Sequence, residues 1–495
     1  MQMISKFMYR IFYIVFGFIF SWFYLYGIGK AKENEILVFL MEAVLIMVGY
    51  LLYRMIQRLP DMVLFNIKRW TFVFIALFFI TQVIFTMVFR TENTFGWDFD
   101  TVVYLAKCYV KNIDVSYTYL ASYSTNIVYF WFVVLIFYIS KLLFGECYVE
   151  LLLLTNIIFL NISLLYVYKI VKLIKGFRAA IFTIIVCVLF TPFWFYLPIA
   201  YQDIFSMPLM ILPIYLFTKY NVTKKLSVAT FLAIGVIGAI GFFFKGNTTI
   251  AFIAIVIFLV LSDNRLMCKT KSIIFMFIGF VLMYLVIQLL ISKMGIITKD
   301  EVYDNKIPLT HLIYMSFVDD GSWNANVVAE TTQIKGYNEK IAFTKRKIKE
   351  KFDEYGVDGL FWQISRKESI VILNHGTLNA DMYVVRDPKH ERLVKWVLAD
   401  DSWINNIYRY YSQSFWRALL LLTILQIWAS IKNIDSNDSK HLPNIILFGT
   451  ILLFMFWESN SRYLVNTASV IIIMATMTYN SLYEIAKSRR LDDSI

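Results

Sequence analysis

Ionisable side chains pressed against long apolar stretches are costly to hold, and four short clusters in this chain carry them. The first is Phe95-Gly96-Trp97-Asp98-Phe99-Asp100. Two carboxylates among aromatic rings could bind hydroxyls and deprotonate one of them; the plainer reading is a solvated loop. The second is Tyr201-Gln202-Asp203, bracketed by Pro192, Pro198 and Pro208. Prolines on both sides of a lone acid imply broken helix ends that expose backbone polar groups inside a protected cavity. Asp203 could equally open the next helix, accepting backbone N–H bonds at the positive end of its dipole, and both readings can hold together. The third is Phe244-Lys245-Gly246-Asn247, where a lysine ends an apolar run and could either snorkel into headgroups or serve as a phosphate counter-ion. The fourth is Trp457-Glu458-Ser459-Asn460-Ser461-Arg462-Tyr463. Glu458 and Arg462 are close enough to pair, and an arginine held by a carboxylate presents its fork to phosphate.

The elements that must position these clusters are apolar helices. Hydrophobic residues make up 59% of the 495, charged residues 17%, and the mean hydropathy is +0.64. A soluble domain carries about 25% charged residues, so the bilayer must be the solvent for most of this surface. Runs of spanning length lie at 8–28, 36–53, 70–89, 150–171, 179–198, 204–219, 227–244, 247–262, 273–293, 414–431, 442–458 and 463–484, with a further candidate at 127–144. The net charge of +12 reflects basic residues gathered between these runs, as a positive-inside membrane protein requires, and does not call for nucleic acid. Basic clusters at Arg54–Arg69, Lys169–Arg178, Lys219–Lys225, Arg265–Lys271, Lys432–Lys440 and Lys487–Arg490 all fall on one side only if an odd number of spans separates residue 90 from residue 169. The segment 127–144 is therefore expected to lie against the outer leaflet, leaving twelve spans with both termini cytoplasmic.

This topology places Asp98, Asp100, Asp203, Lys245, Glu458 and Arg462 on the outer face together. It divides the chain into two accessory spans (1–69), a seven-span block containing the outer loop 90–149 (70–293), an extracytoplasmic subdomain (294–413), and three spans with a cytoplasmic tail (414–495). The subdomain is too long for a plain linker and contains a charged helical run at 340–355. Four dispersed cysteines and four histidines show no metal-ligand spacing.

An acid in the first long outer loop, a second acid in the next, and a seven-span block ending in a large outer segment resemble the C-type (GT-C) glycosyltransferases, which include protein O-mannosyltransferases and lipid A aminoarabinose transferases. Within that fold the chain is most similar to cell-envelope members of Gram-positive bacteria. The matching features are Asp98 with Ala106, the stretch from Tyr119 to Asn126 leading into an apolar helix, and Trp457-Glu458 followed by Arg462-Tyr463. Those relatives read Tyr-Pro-Asn-Asn where this chain has Tyr123-Ser124-Thr125-Asn126. The resemblance implies an all-α membrane enzyme with juxtamembrane helices in its first outer loop, working at the extracytoplasmic face of a bacterial cell membrane. It implies a polyprenyl-phosphate-linked sugar as donor and a glycan, lipid or protein hydroxyl as acceptor. Asp98 or Asp100 would be the base and Asp203 would position a substrate or a cation. Lys245 and Arg462 would hold the phosphate, supported by Glu458 and Tyr463, and His311 could touch it. Tyr201 and Asn126 would support the acceptor or its loop. Members of the family differ in using a divalent cation, and two nearby acids leave that open.

Two other classes fit parts of the pattern. A carrier of lipid-linked sugars would show ionisable groups at mid-bilayer and two related halves, and neither is visible. A non-catalytic subunit would tolerate loss of the carboxylates. The topology predicts that, with Cys108, Cys187 and Cys268 replaced, Cys147 reacts with an impermeant thiol reagent added outside intact cells. Labelling from the cytoplasmic side alone would make 127–144 a span.

Overall fold

The computed structural model describes residues 2–30, 33–91, 98–225, 227–373, 376–385, 388–432 and 434–492. Residues 95–97 of the first acidic cluster therefore lie outside the described residues. Within them the chain is all α-helical, with one isolated bridge between Thr91 and Pro388. Six helices among the described residues are long and apolar enough to cross a bilayer: Met3–Gly27, Glu35–Gln57, Asp61–Phe89, Ser124–Leu143, Tyr148–Lys175 and Leu266–Lys293. Phe177–Leu189, Val228–Phe244, Gly246–Leu261 and His441–Phe454 are apolar but shorter.

The segment set apart on charge grounds thus qualifies as a span by length and composition. Its packing is oblique. Phe132 meets Phe159 and Phe137 meets Tyr148, so a step along this helix corresponds to about twice that step along Tyr148–Lys175. It also packs against the amphipathic helix Asp98–Lys111, and Cys147 beyond its end is exposed.

Short helices are joined by breaks whose backbone groups must be satisfied internally. Between Thr191–Phe195 and Gln202–Phe205 the chain carries Pro198 and has no regular helix. Asn156, buried on Tyr148–Lys175, directs its side-chain NH2 at the carbonyls of Tyr196, Leu197 and Ile199, at 2.9, 3.0 and 3.2 Å. Tyr129 donates to the next carbonyl, Ala200, at 2.5 Å. Elsewhere small residues allow close approach: at Gly235 and Gly279 a Cβ would run into the facing backbone at Met276 and Leu232, locking Val228–Phe244 onto Leu266–Lys293.

The two N-terminal helices pack against the late part of the chain. Fully buried Arg417, on Trp403–Ala429, reaches Glu35 at 2.5 Å and Glu42 at 3.1 Å, and Tyr24 donates to Glu42 at 2.7 Å. The stretch 294–413 contributes to two cores. Tyr314, Met315 and Val327 form a small cluster of their own, whereas Val371, Ile372, Leu373, Leu378, Tyr383 and Val384 belong to the main core. The change follows the long helix Tyr337–Leu373, which is broken at Gly356 (φ 57°, ψ −171°). Its second half carries two adjacent buried ionisable groups, Lys367 and Glu368, and neither carboxyl oxygen of Glu368 has a hydrogen-bond partner among the described residues.

Burial pushes the Glu368 carboxyl up to about 8 from its ordinary 4.5, against the opposing pull of Lys367. A raised folded-state value means its contribution is fully present below about 4.5 and is lost as pH rises through about 8. Glu368→Gln should therefore match wild type in thermal midpoint near pH 4.5 and exceed it increasingly up to about pH 8, measured on purified protein. A difference independent of pH would rule out a buried, protonated Glu368.

Candidate functional site

At one end of the helix bundle the second, third and fourth sequence clusters converge. Asp203 sits in the first turn of Gln202–Phe205; the N-cap position belongs to Tyr201, whose side chain makes no cap bond. The Asp203 carboxylate is instead turned to Lys245, with which it forms a buried ion pair through Oδ1. Lys245 ends Val228–Phe244 in extended conformation and leads into the short turn Gly246–Thr248. Asn247 fastens this turn to the neighbouring chain, exchanging hydrogen bonds with Asn466 and donating to the Tyr463 carbonyl at 3.3 Å. Burial pulls the Lys245 ammonium below its ordinary range, with Asp203 opposing.

Arg462 completes the group. It lies on the short helix Ser461–Leu464, whose N-cap Asn460 accepts the Arg462 N–H at 3.0 Å. Its Nε is 3.8 Å from Asp203 Oδ2, and neither atom has a hydrogen-bond partner among the described residues. Three tyrosine rings surround the guanidinium: Tyr201 at 5.1 Å, Tyr463 at 5.4 Å and Tyr383 at 5.7 Å. Arg462 Nη1 also donates to the Tyr383 hydroxyl at 3.1 Å. Glu458 does not clasp Arg462 directly. Its carboxylate accepts the Tyr463 hydroxyl, while burial holds its carboxyl above the ordinary range, countered by Tyr463 and Arg462.

The first cluster joins through tyrosines. Asp98 opens Asp98–Lys111, where a carboxylate meets the positive end of the dipole. The Tyr201 hydroxyl donates to Asp98 Oδ2 at 3.4 Å, and Tyr201 thus stands between Asp98 and Arg462. Asp98 also acts on Tyr119 and Tyr123, whose hydroxyls are raised chiefly by burial and then by its charge, Tyr123 to about 12. Asn126 ties this loop to the second cluster, donating to Tyr119 at 2.7 Å and accepting from Gln202 at 3.0 Å. Asp100 lies one half-turn from Asp98 on the same helix. His311 stands apart: it is buried, its Nδ1 meets the Thr331 hydroxyl at 2.8 Å, and burial lowers it to about 4. That hydrogen bond holds it to the helix Ala325–Thr332 rather than to the charge cluster.

Tyr383 is a member that sequence reasoning missed, while Tyr119 and Gln202 stood inside the quoted motifs without a role of their own. Tyr383 comes from Ala380–Val384, far along the chain, and one tyrosine among 32 carries no distinguishing signal. Gln202 was visible beside Asp203.

Removing one partner of a buried ion pair leaves the other charge uncompensated, at about 3–5 kcal/mol. Asp203→Asn should lower the thermal midpoint of the purified protein clearly, and adding Lys245→Met should recover part of the loss. Equal midpoints for wild type and Asp203→Asn would show that the pair carries no stability.

No curated protein matches the chain. Among solved structures it is similar to the archaeal oligosaccharyltransferase AglB from Archaeoglobus fulgidus in complex with an inhibitory peptide and a dolichol-phosphate, with TM-score 0.43 and 11% identity over 86% of this chain and 52% of that one. It is similar to the apo form of the Archaeoglobus fulgidus oligosaccharyltransferase at TM-score 0.44 and 12% identity, over 84% and 51% of the two chains. The chain thus spans about half the length of those proteins. It is also similar to ArnT from Cupriavidus metallidurans bound to undecaprenyl phosphate, at TM-score 0.36 and 13% identity, over 83% of this chain and 78% of that one. The family described as conserved hypothetical integral membrane protein matches residues 1–483, and the chain belongs to it.

Proposed function

We propose that this chain is a glycosyltransferase that moves a sugar from a polyprenyl-phosphate donor to an acceptor hydroxyl at the extracytoplasmic face of a bacterial cell membrane. The observation that carries the reading is the buried group of Asp203, Lys245 and Arg462, in which the Arg462 Nε–H has no hydrogen-bond partner among the described residues. A guanidinium with an unused N–H in a partly dry site at the ends of membrane helices can take an anionic ligand. A lipid phosphate supplies one, and its tail has the apolar bundle surface to lie against.

In this reading the phosphate lies between Lys245 and Arg462. Asp98, which meets the Tyr201 hydroxyl, takes the proton from the acceptor hydroxyl, with Asp100 on the other side of the same helix as the alternative base. The hydroxyl oxygen attacks the anomeric carbon from the face opposite the phosphate, and the bond from that carbon to the phosphate oxygen breaks. The displacement inverts the anomeric centre. Lys245 and Arg462 stabilise the charge that grows on the leaving phosphate, each by a few kcal/mol in a partly dry site. Tyr201, bonded to Asp98 and stacked near Arg462, sets the spacing of base and phosphate site. Among the described residues no group of three or more His, Cys, Asp or Glu side chains is arranged as a metal-ligand set, and no step here is routed through a divalent cation.

Asp98→Asn, Asp203→Asn and Arg462→Ala should each abolish the dependent envelope sugar in cells while protein levels persist. Purified Arg462→Ala should bind undecaprenyl phosphate roughly tenfold or more weakly, as loss of a charged hydrogen bond requires, with Asp98→Asn near wild type. Normal glycosylation in all three variants would refute the assignment.

A further inference from the structure

The turn bearing Glu458 and Arg462 is gripped from the other side by the stretch 316–373. Helix His441–Phe454 ends at Met455, where the last carbonyls of a helix lack intrahelical donors. The Met455 carbonyl accepts Lys367 Nζ at 3.1 Å. A cation there also meets the negative end of the helix dipole. The lysine stem lies against Gly321, whose backbone is left-handed (φ +76°) and where a Cβ would collide with Lys367 Cγ and Cδ and with the Ser316 carbonyl. The Gly321 carbonyl in turn accepts the Ser459 N–H at 2.7 Å, next to Glu458. The loop holding Gly321 is itself fixed to the long helix: Tyr355 donates to the Phe317 carbonyl at 2.9 Å and Gln363 to the Asp319 carbonyl at 3.1 Å. The Lys367 ammonium sits 5.0 Å over the Phe317 ring.

A fully buried lysine is an unfavourable way to fill a core position. Burial pulls this one down to about 7 from 10.5, with Glu368 opposing. A methionine would occupy the same space without that penalty. What only the lysine provides is a donor for the end of the helix that leads into the Glu458–Arg462 turn.

We propose that Lys367 is a positioning residue for the donor site: by capping Met455 and backing Gly321, it fixes the 455–462 turn so that Glu458 and Arg462 face Tyr463, Asp203 and Lys245. The inference rests on the reading of that cluster as a phosphate site. Under it, the 294–413 stretch has a second task besides lending Tyr383: it sets the height and tilt of the arginine that receives the donor.

The test uses the full chain with its four native cysteines replaced and Ser459→Cys introduced. Ser459 is buried and its hydroxyl makes no hydrogen bond among the described residues, so the exchange removes no partner there. In this background the introduced thiol should react slowly with a maleimide. Lys367→Met should speed the reaction at least tenfold and weaken binding of undecaprenyl phosphate about tenfold, with the thermal midpoint unchanged or raised. Gly321→Ala, which disturbs the other arm of the grip, should also expose the thiol. A protected thiol and unchanged lipid binding in both variants would overturn the proposal. A midpoint that falls in parallel with binding, with the thiol still protected, would reduce Lys367 to a general stabiliser and overturn it too. Exposure of the thiol in a protein whose wild type binds no undecaprenyl phosphate would uphold the grip and sink the donor reading instead.

Discussion

The ion pair between Asp203 and Lys245, with Arg462 beside it, is the constraint around which this end of the molecule is organised. Three charges at the ends of apolar helices are tolerable only if each is met by another charge or by hydrogen bonds. The surrounding structure meets that demand in detail. The Lys245 turn is tied to Asn466, the Arg462 turn is capped by Asn460, and Tyr383 is brought in from a distant segment to accept from the guanidinium. One N–H and one carboxylate oxygen at the centre have no hydrogen-bond partner among the described residues.

The helix breaks that deliver Asp203 follow from the same rule applied to the backbone. A segment containing Pro198 cannot keep its carbonyls paired within a helix, and a bilayer offers no water to replace them. Asn156 and Tyr129 supply the donors from neighbouring helices. The break is thereby a rigid, satisfied piece of structure, and it can hold a carboxylate at a fixed place. Its neighbours profit: Tyr201, at the end of the break, reaches Asp98 with its hydroxyl and Arg462 with its ring.

Contacts between distant parts of the chain extend this logic. Arg417 gathers Glu35 and Glu42 and so docks the N-terminal helices onto the late part of the bundle. The 294–413 stretch does not stand as one separate body; beyond Gly356 it packs into the main core and reaches the Arg462 turn through Lys367 and Tyr383. The charge cluster and this stretch are therefore mechanically one unit.

The sequence by itself determined the solvent and the elements: an apolar, charge-poor composition admits only membrane helices, because each helix satisfies its own backbone wherever it sits. It also marked Asp98, Asp203, Lys245, Glu458 and Arg462, since an ionisable residue at the edge of an apolar run stands out against its neighbours. Partnership was beyond its reach. Glu458 and Arg462, near enough in sequence to pair, instead share Tyr463 between them, while Arg462 turns to Asp203 and Tyr383. His311, equally eligible by residue type, is spent on Thr331. Even the span at 127–144, set aside on charge, qualifies as a span by length and apolarity yet runs obliquely across its neighbour. Which charges meet depends on how helices cross and where breaks fall, and those are properties of packing between segments hundreds of residues apart, with no signature in any local pattern.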